Sequence, residues 1–84
     1  MSVAERFGAN LRRCRELADL TQAEVAQRAS MNRTQIGVLE RGERLPRIDT
    51  LVKLAGALEV SPDELLAGLK WKPGEARAGR FEES

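Results

Sequence analysis

The chain has 84 residues, 14 Lys or Arg against 13 Asp or Glu, a net charge of +1, no histidine, no tyrosine and one cysteine, Cys14. That length supports one domain with a small core. A single cysteine excludes an internal disulfide, the absence of histidine removes the commonest metal ligand and general base, and no apolar run is long enough to span a membrane. The N-terminal stretch MSVAERFGAN has charges where a signal peptide needs its apolar segment, so a soluble, cytoplasmic protein is expected.

The first predicted helix runs from Val3 to Ala18. Its apolar residues Val3, Phe7, Leu11, Cys14 and Ala18 recur at helical spacing, and Ser2 is placed to cap it. TQAE, Thr21 to Glu24, is a capping box that opens a second helix with Val25, Ala26 and Ala29 on its apolar face. NRTQ, Asn32 to Gln35, repeats that logic for a third helix, in which Ile36 and Leu39 point inward with Glu40 beside them. Gly42 fits its C-terminal cap. ERLP, Glu43 to Pro46, reads as a loop.

Ile48 to Leu58 forms the fourth helix, with Leu51, Leu54, Ala55 and Leu58 on one face. SPDE, Ser61 to Glu64, supplies a cap, a proline at the first helical position and two acids at the positive end of the dipole. Leu65, Leu66 and Leu69 then complete a last short helix. Dipole compensation accounts for Asp63 and Glu64, so no catalytic pair is assigned to them. From Trp71 the sequence WKPGEARAGRFEES has no helical period and reads as an extended tail. The expected organisation is a helical body over residues 1–70 and a tail over 71–84.

Charge is sorted along the chain. From Arg28 to Arg47 five arginines face Glu40 and Glu43, a local +3, while Ile48 to Leu69 carries −3. A basic middle beside an acidic segment gives the molecule a directional field.

Two short helices joined by a tight turn, the second anchored by Ile36 and Leu39, make a helix-turn-helix. With Gln22 opening the first of them, Ala26 at the crossing, LERG (Leu39–Gly42), TLVKLAGAL (Thr50–Leu58) and VSPDELL (Val60–Leu66), the chain resembles the phage Cro/cI-repressor-like, or XRE, DNA-binding family from about Phe7 to Leu66. Two positions depart from the family pattern. Ser30 stands where glycine is favoured at the turn, a cost of roughly 1 kcal/mol if the residue is left-handed. Arg47 stands where a serine usually caps the fourth helix.

The resemblance implies an all-α fold, five helices in the lambda-repressor-like arrangement, with a short extended tail. It implies binding of double-stranded DNA, most often as a homodimeric repressor, with no catalysis, cofactor or metal, and no small-molecule ligand or membrane is evident. An antitoxin-like or scaffold role with a protein partner is the alternative. By the same resemblance Arg33, Thr34 and Val38 are the base-reading positions, with residue chemistry suited to guanine and the thymine methyl. Gln22, Gln35, Arg41, Arg44 and Arg47 are the phosphate contacts, and Arg15 and Glu40 a buried ion pair. On a helical wheel Gly37 and Arg41 also point outward. Trp71 is expected either in the core or, with Leu65, Leu66 and Leu69, at a dimer interface.

Overall fold

The computed structural model describes residues 1–74 and 78–82. Its helices are α1 (Val3–Leu17), α2 (Gln22–Arg28), α3 (Arg33–Glu40), α4 (Ile48–Leu58) and α5 (Pro62–Leu65), followed by two-residue strands β1 (Trp71–Lys72) and β2 (Arg80–Phe81). The first three helices open with reciprocal capping boxes. Ser2 Oγ, Thr21 Oγ1 and Asn32 Oδ1 each accept from the amide three residues on, and the side chains of Glu5, Glu24 and Gln35 accept the cap residues' own amides. Those hydrogen bonds from Ser2 and Thr21 hold the Glu5 and Glu24 carboxyls below their ordinary pKa. At α4 Arg47 makes no side-chain cap. The amide of Thr50 instead donates to Asp49 Oδ1, at 3.0 Å.

Four helices end in one way. The residues Asp19, Ser30, Gly42 and Glu59 are left-handed, with φ of 58°, 55°, 71° and 56°. The next residue then donates back across the last turn, Leu20 to Arg15, Met31 to Ala26, Glu43 to Val38 and Val60 to Ala55, at 2.9–3.1 Å. This Schellman closure satisfies carbonyls that a helix end leaves open. Gly42 meets a second demand, because a Cβ there would lie 2.7 Å from the Glu5 Cα.

The core gathers Phe7, Leu11, Val25, Ile36, Leu54 and Leu65, all essentially excluded from water, with Cys14, Ala26, Ala29, Leu39, Ala55, Ala57 and Leu58 around them. Leu51 packs against its edge half-buried. Ala18 is exposed at the α1 cap, and the buried stripe of α1 includes Gly8 and Asn10 instead. Asn10 is buried in this core, and its side chain is satisfied. Its Nδ2 donates to the carbonyls of Leu65 and Ala67, at 2.9 and 2.8 Å, and its Oδ1 accepts from Arg13.

The C-terminal end differs from expectation at three points. The last helix stops at Leu65, because its carbonyl and that of Ala67 turn to Asn10 and Gly68 is left-handed at φ 82°. Leu65 is fully buried beneath α1, so it belongs to the protomer core and cannot line a dimer interface. The tail pairs antiparallel, Trp71 with Phe81 and Lys72 with Arg80, and the two rings meet edge to face at 5.1 Å. Trp71 is 57% exposed and so lies outside the core. Residues 75–77 and 83–84 of the expected tail lie outside the described residues.

Gly8 sets how closely α1 and α3 cross. A Cβ on it would lie 2.4 Å from the Leu39 carbonyl oxygen and 2.6 Å from that of Glu40, both backbone atoms that cannot swing aside. Gly8→Ala is expected to destabilise the fold by about 1–3 kcal/mol, read as a lower urea midpoint at unchanged slope.

Candidate nucleic-acid interface

The α2–turn–α3 unit places α3 across the molecule with Ile36 and Leu39 in the core, which leaves Arg33, Thr34 and Gln35 exposed at its N-terminal end. Thr34 stands on a ridge between two depressions. One, of about 200 Å³, is lined by Gln22, Arg33, Thr34, Gly37 and Arg41. The other, of about 510 Å³, runs between α3 and the loop before α4, and Thr34, Gln35, Val38, Arg44 and Arg47 are among its walls. All eight residues assigned to DNA from the sequence therefore lie on this one surface.

Two positions of α3, Val38 and Gly37, differ in detail from the helical-wheel picture. Val38 is half-buried and forms part of the second depression's wall with Leu39, Leu45 and Pro46. Gly37 is buried, because the Arg41 guanidinium folds back over it and would lie 3.0 Å from a Cβ there. Leu45, Pro46, Met31 and Thr50 also line the second depression, and the sequence reading did not assign them. The signal available for Leu45 was an apolar residue in a loop, 57% exposed without a core role.

The cations of this surface fall into two kinds. Arg41 pairs with Glu43 and Arg47 with Asp49, and all four side chains are exposed. Their mutual hydrogen bond raises the Arg41 pKa and lowers that of Glu43. Arg33 and Arg44 make no ion pair among the described residues. Gln35 uses its side-chain oxygen to accept the Asn32 amide in the α3 capping box.

Beneath the surface Arg15 grips Glu40 with two hydrogen bonds, Nε to Oε2 at 2.6 Å and Nη2 to Oε1 at 3.0 Å. Their side chains are 14% and 5% exposed, and Arg15 Nη1 also donates to the Leu20 carbonyl. The hydrogen bond to Glu40 raises the Arg15 pKa above its ordinary value despite burial, which acts the other way. Glu40 Oε1 accepts from Gln22 Nε2 as well, at 3.1 Å. Half-buried Gln22 is thus held in place through its side-chain amide nitrogen.

Comparison with known proteins decides the relationship. The sequence profile described as Helix-turn-helix, HTH_3, matches residues 11–65. The chain belongs to the HTH_3 helix-turn-helix family. It is 38% identical over 76 residues to control protein C.SmaI of Serratia marcescens, covering 88% of this chain and 90% of that one. The crystal structure of the restriction-modification controller protein C.AhdI from Aeromonas hydrophila superposes with a TM-score of 0.72 at 35% identity, over 74% of this chain and 94% of that one. The P22 c2 repressor, solved in complex with a synthetic operator, superposes with a TM-score of 0.68 at 32% identity, over 74% of this chain and 94% of that one. HTH_3 proteins are non-enzymatic, DNA-binding transcriptional regulators, and this chain shares their five-helix fold. No helix among the described residues is long and apolar enough to cross a membrane.

Removing Glu40 leaves a buried guanidinium unpaired. Glu40→Ala is expected to destabilise the HTH_3 fold by about 3–5 kcal/mol. Urea unfolding of Glu40→Ala, Arg15→Ala and the double variant is expected to give a coupling energy well above the roughly 1 kcal/mol of an exposed pair; a value near zero contradicts the assignment.

Proposed function

We propose that this regulator reads one particular double-stranded DNA sequence as a homodimer and represses transcription where it binds. The observation that carries the reading is the single surface that gathers Arg33, Thr34 and Val38 on α3 with Gln22, Gln35, Arg41, Arg44 and Arg47 around them. In helix-turn-helix proteins the second helix enters the major groove and its first residues meet base edges. Arg33 has a free guanidinium fork for guanine O6 and N7, Thr34 offers a hydroxyl and a methyl group, and Val38 presents an apolar wall to a thymine methyl. One such helix reads few base pairs, and a two-fold pair of them doubles the site.

The arginines then divide by task. Arg44, without an ion pair, adds its full charge to a phosphate. Arg41 and Arg47 must exchange Glu43 and Asp49 for a phosphate, so each releases fewer counterions than its formal charge suggests. Gln22, held by Glu40, contributes orientation rather than charge.

Selection from a random duplex library is expected to return one consensus with two-fold symmetry. On that site Arg33→Ala is expected to cost about 1–3 kcal/mol and relax the preference at one base position, with little loss on random DNA. Equal loss on both makes Arg33 a phosphate contact. Arg44→Ala is expected to weaken all duplexes alike and lower the salt slope by about one unit, and Arg47→Ala to lower it by less. Binding with no salt dependence, or no enriched sequence, overturns the DNA reading in favour of a protein partner.

A further inference from the structure

The loop between α3 and α4 carries a leucine that does nothing for the core. Leu45 is 57% exposed and stands outside the buried cluster. The loop that presents it is held at both ends. The Glu43 amide donates to the Val38 carbonyl at 3.1 Å, and the Arg47 carbonyl accepts from the Leu51 amide at 2.9 Å as α4 begins. Between those anchors Pro46 fixes its own φ and keeps Leu45 away from helical backbone. Leu45 is therefore an apolar side chain kept in water by a constrained main chain.

Its place on the surface gives it a neighbour of the same kind. In the depression of about 510 Å³ between α3 and this loop, Leu45 and Pro46 supply apolar walls from the loop, and Val38 and Leu39 supply them from α3. Arg44 and Arg47, on either side of Leu45 and Pro46 in sequence, line the same depression. The result is an apolar cleft with cations beside it, at the side of the helix that carries Arg33 and Thr34.

We propose that Val38 and Leu45 together form a slot for the C5-methyl group of one thymine, so that Leu45, a residue outside the helix-turn-helix, determines specificity. The proposal rests on the reading of this surface as a sequence-specific DNA site, and it adds to that site a base contact from the loop. The thymine methyl is the one methyl group that base edges carry in the major groove. It lies on the side of the base nearest its own sugar-phosphate strand. A strand that gives a phosphate to Arg44 or Arg47 thereby brings its thymine methyl toward the apolar walls beside them. Two walls from separate elements sharpen the choice. A methyl between them takes both side chains out of water at once, whereas cytosine leaves the slot wet. Because the loop is fixed beforehand, closing the slot costs little ordering. A deoxyribose would also cover Leu45, but it would do so at every sequence and would leave Val38, on the helix that enters the groove, without a part.

The test replaces each thymine of the duplex selected from the random library by uracil, one position at a time. That change removes the methyl and keeps base pairing and every hydrogen-bonding edge. At one position of a half-site uracil is expected to weaken the parent about fourfold, the worth of one methylene taken out of water. Leu45→Ala alters only an exposed loop position, so its thermal midpoint is expected to match the parent's. It is expected to bind the thymine duplex as weakly as the parent binds the uracil one and to bring the thymine-to-uracil ratio at that position near one, while ratios at other positions stay unchanged. A Leu45→Ala protein that keeps the parent's ratio overturns the slot, and so does equal weakening on selected and random duplexes, which makes Leu45 a sugar-phosphate contact. A parent indifferent to uracil at every position overturns it too. Each of those results leaves the DNA reading standing. That reading falls instead if the library returns no enriched sequence, and the slot falls with it.

Discussion

A carboxylate with almost no access to water lies between the first helix and the third, and the guanidinium of Arg15 is what makes its burial tolerable. Glu40 ends α3, Arg15 comes from the last turn of α1, and the same arginine holds the Leu20 carbonyl just before α2 begins. The end of α1, the start of the turn into α2 and the distant end of α3 are thereby fixed by one charged cluster. A buried pair adds little net stability over an apolar one of the same shape, because desolvation offsets most of the Coulomb gain. Its directionality is what an apolar contact lacks. Two parallel hydrogen bonds set the angle of the Glu40 carboxylate, and that carboxylate aims Gln22 at the surface. Gly8 completes the constraint by letting the two backbones cross at a distance no other residue permits.

The fold was legible where local chemistry and hydrophobic period agree. The capping residues Ser2, Thr21, Asn32 and Ser61 each sit where the sequence pattern placed them, and α4 begins and ends at the expected residues. The inward residues Phe7, Leu11, Cys14, Ile36 and Leu39 follow from spacing alone. The misjudged positions depend on tertiary partners. Leu65 reads as one of three equivalent leucines, yet only it reaches the core, because Asn10 takes the carbonyls that would otherwise continue the helix. Gly37 reads as exposed, and it is covered by a side chain four residues later. The hairpin pairing of Trp71 with Phe81 joins residues across a Pro-Gly segment with no strand period to announce it. The ion pair of Arg15 and Glu40 came from family resemblance rather than from spacing, since two residues twenty-five apart carry no periodic signal.

Near-neutral net charge and a nucleic-acid surface are compatible because the charge is sorted rather than abundant. Glu59, Asp63 and Glu64 lie well beyond the arginine-rich loop in sequence, while Glu43 and Asp49 sit among those arginines and occupy two of them. A surface whose cations are partly neutralised holds random DNA less tightly than its arginine count implies. The affinity gained at the correct sequence then stands out more clearly against the background of every other sequence.

The repeated Schellman closure has a consequence for inheritance. The direction in which α3 leaves the turn is set by main-chain hydrogen bonds around Ser30 and Met31 and by inward side chains, and none of these involves Arg33 or Thr34. On the proposed reading, replacing those two residues alters what is read without altering where α3 lies. On that reading a lineage carrying this scaffold changes its address by a couple of codons while every capping and packing residue stays untouched, which separates the inheritance of the architecture from the inheritance of its target.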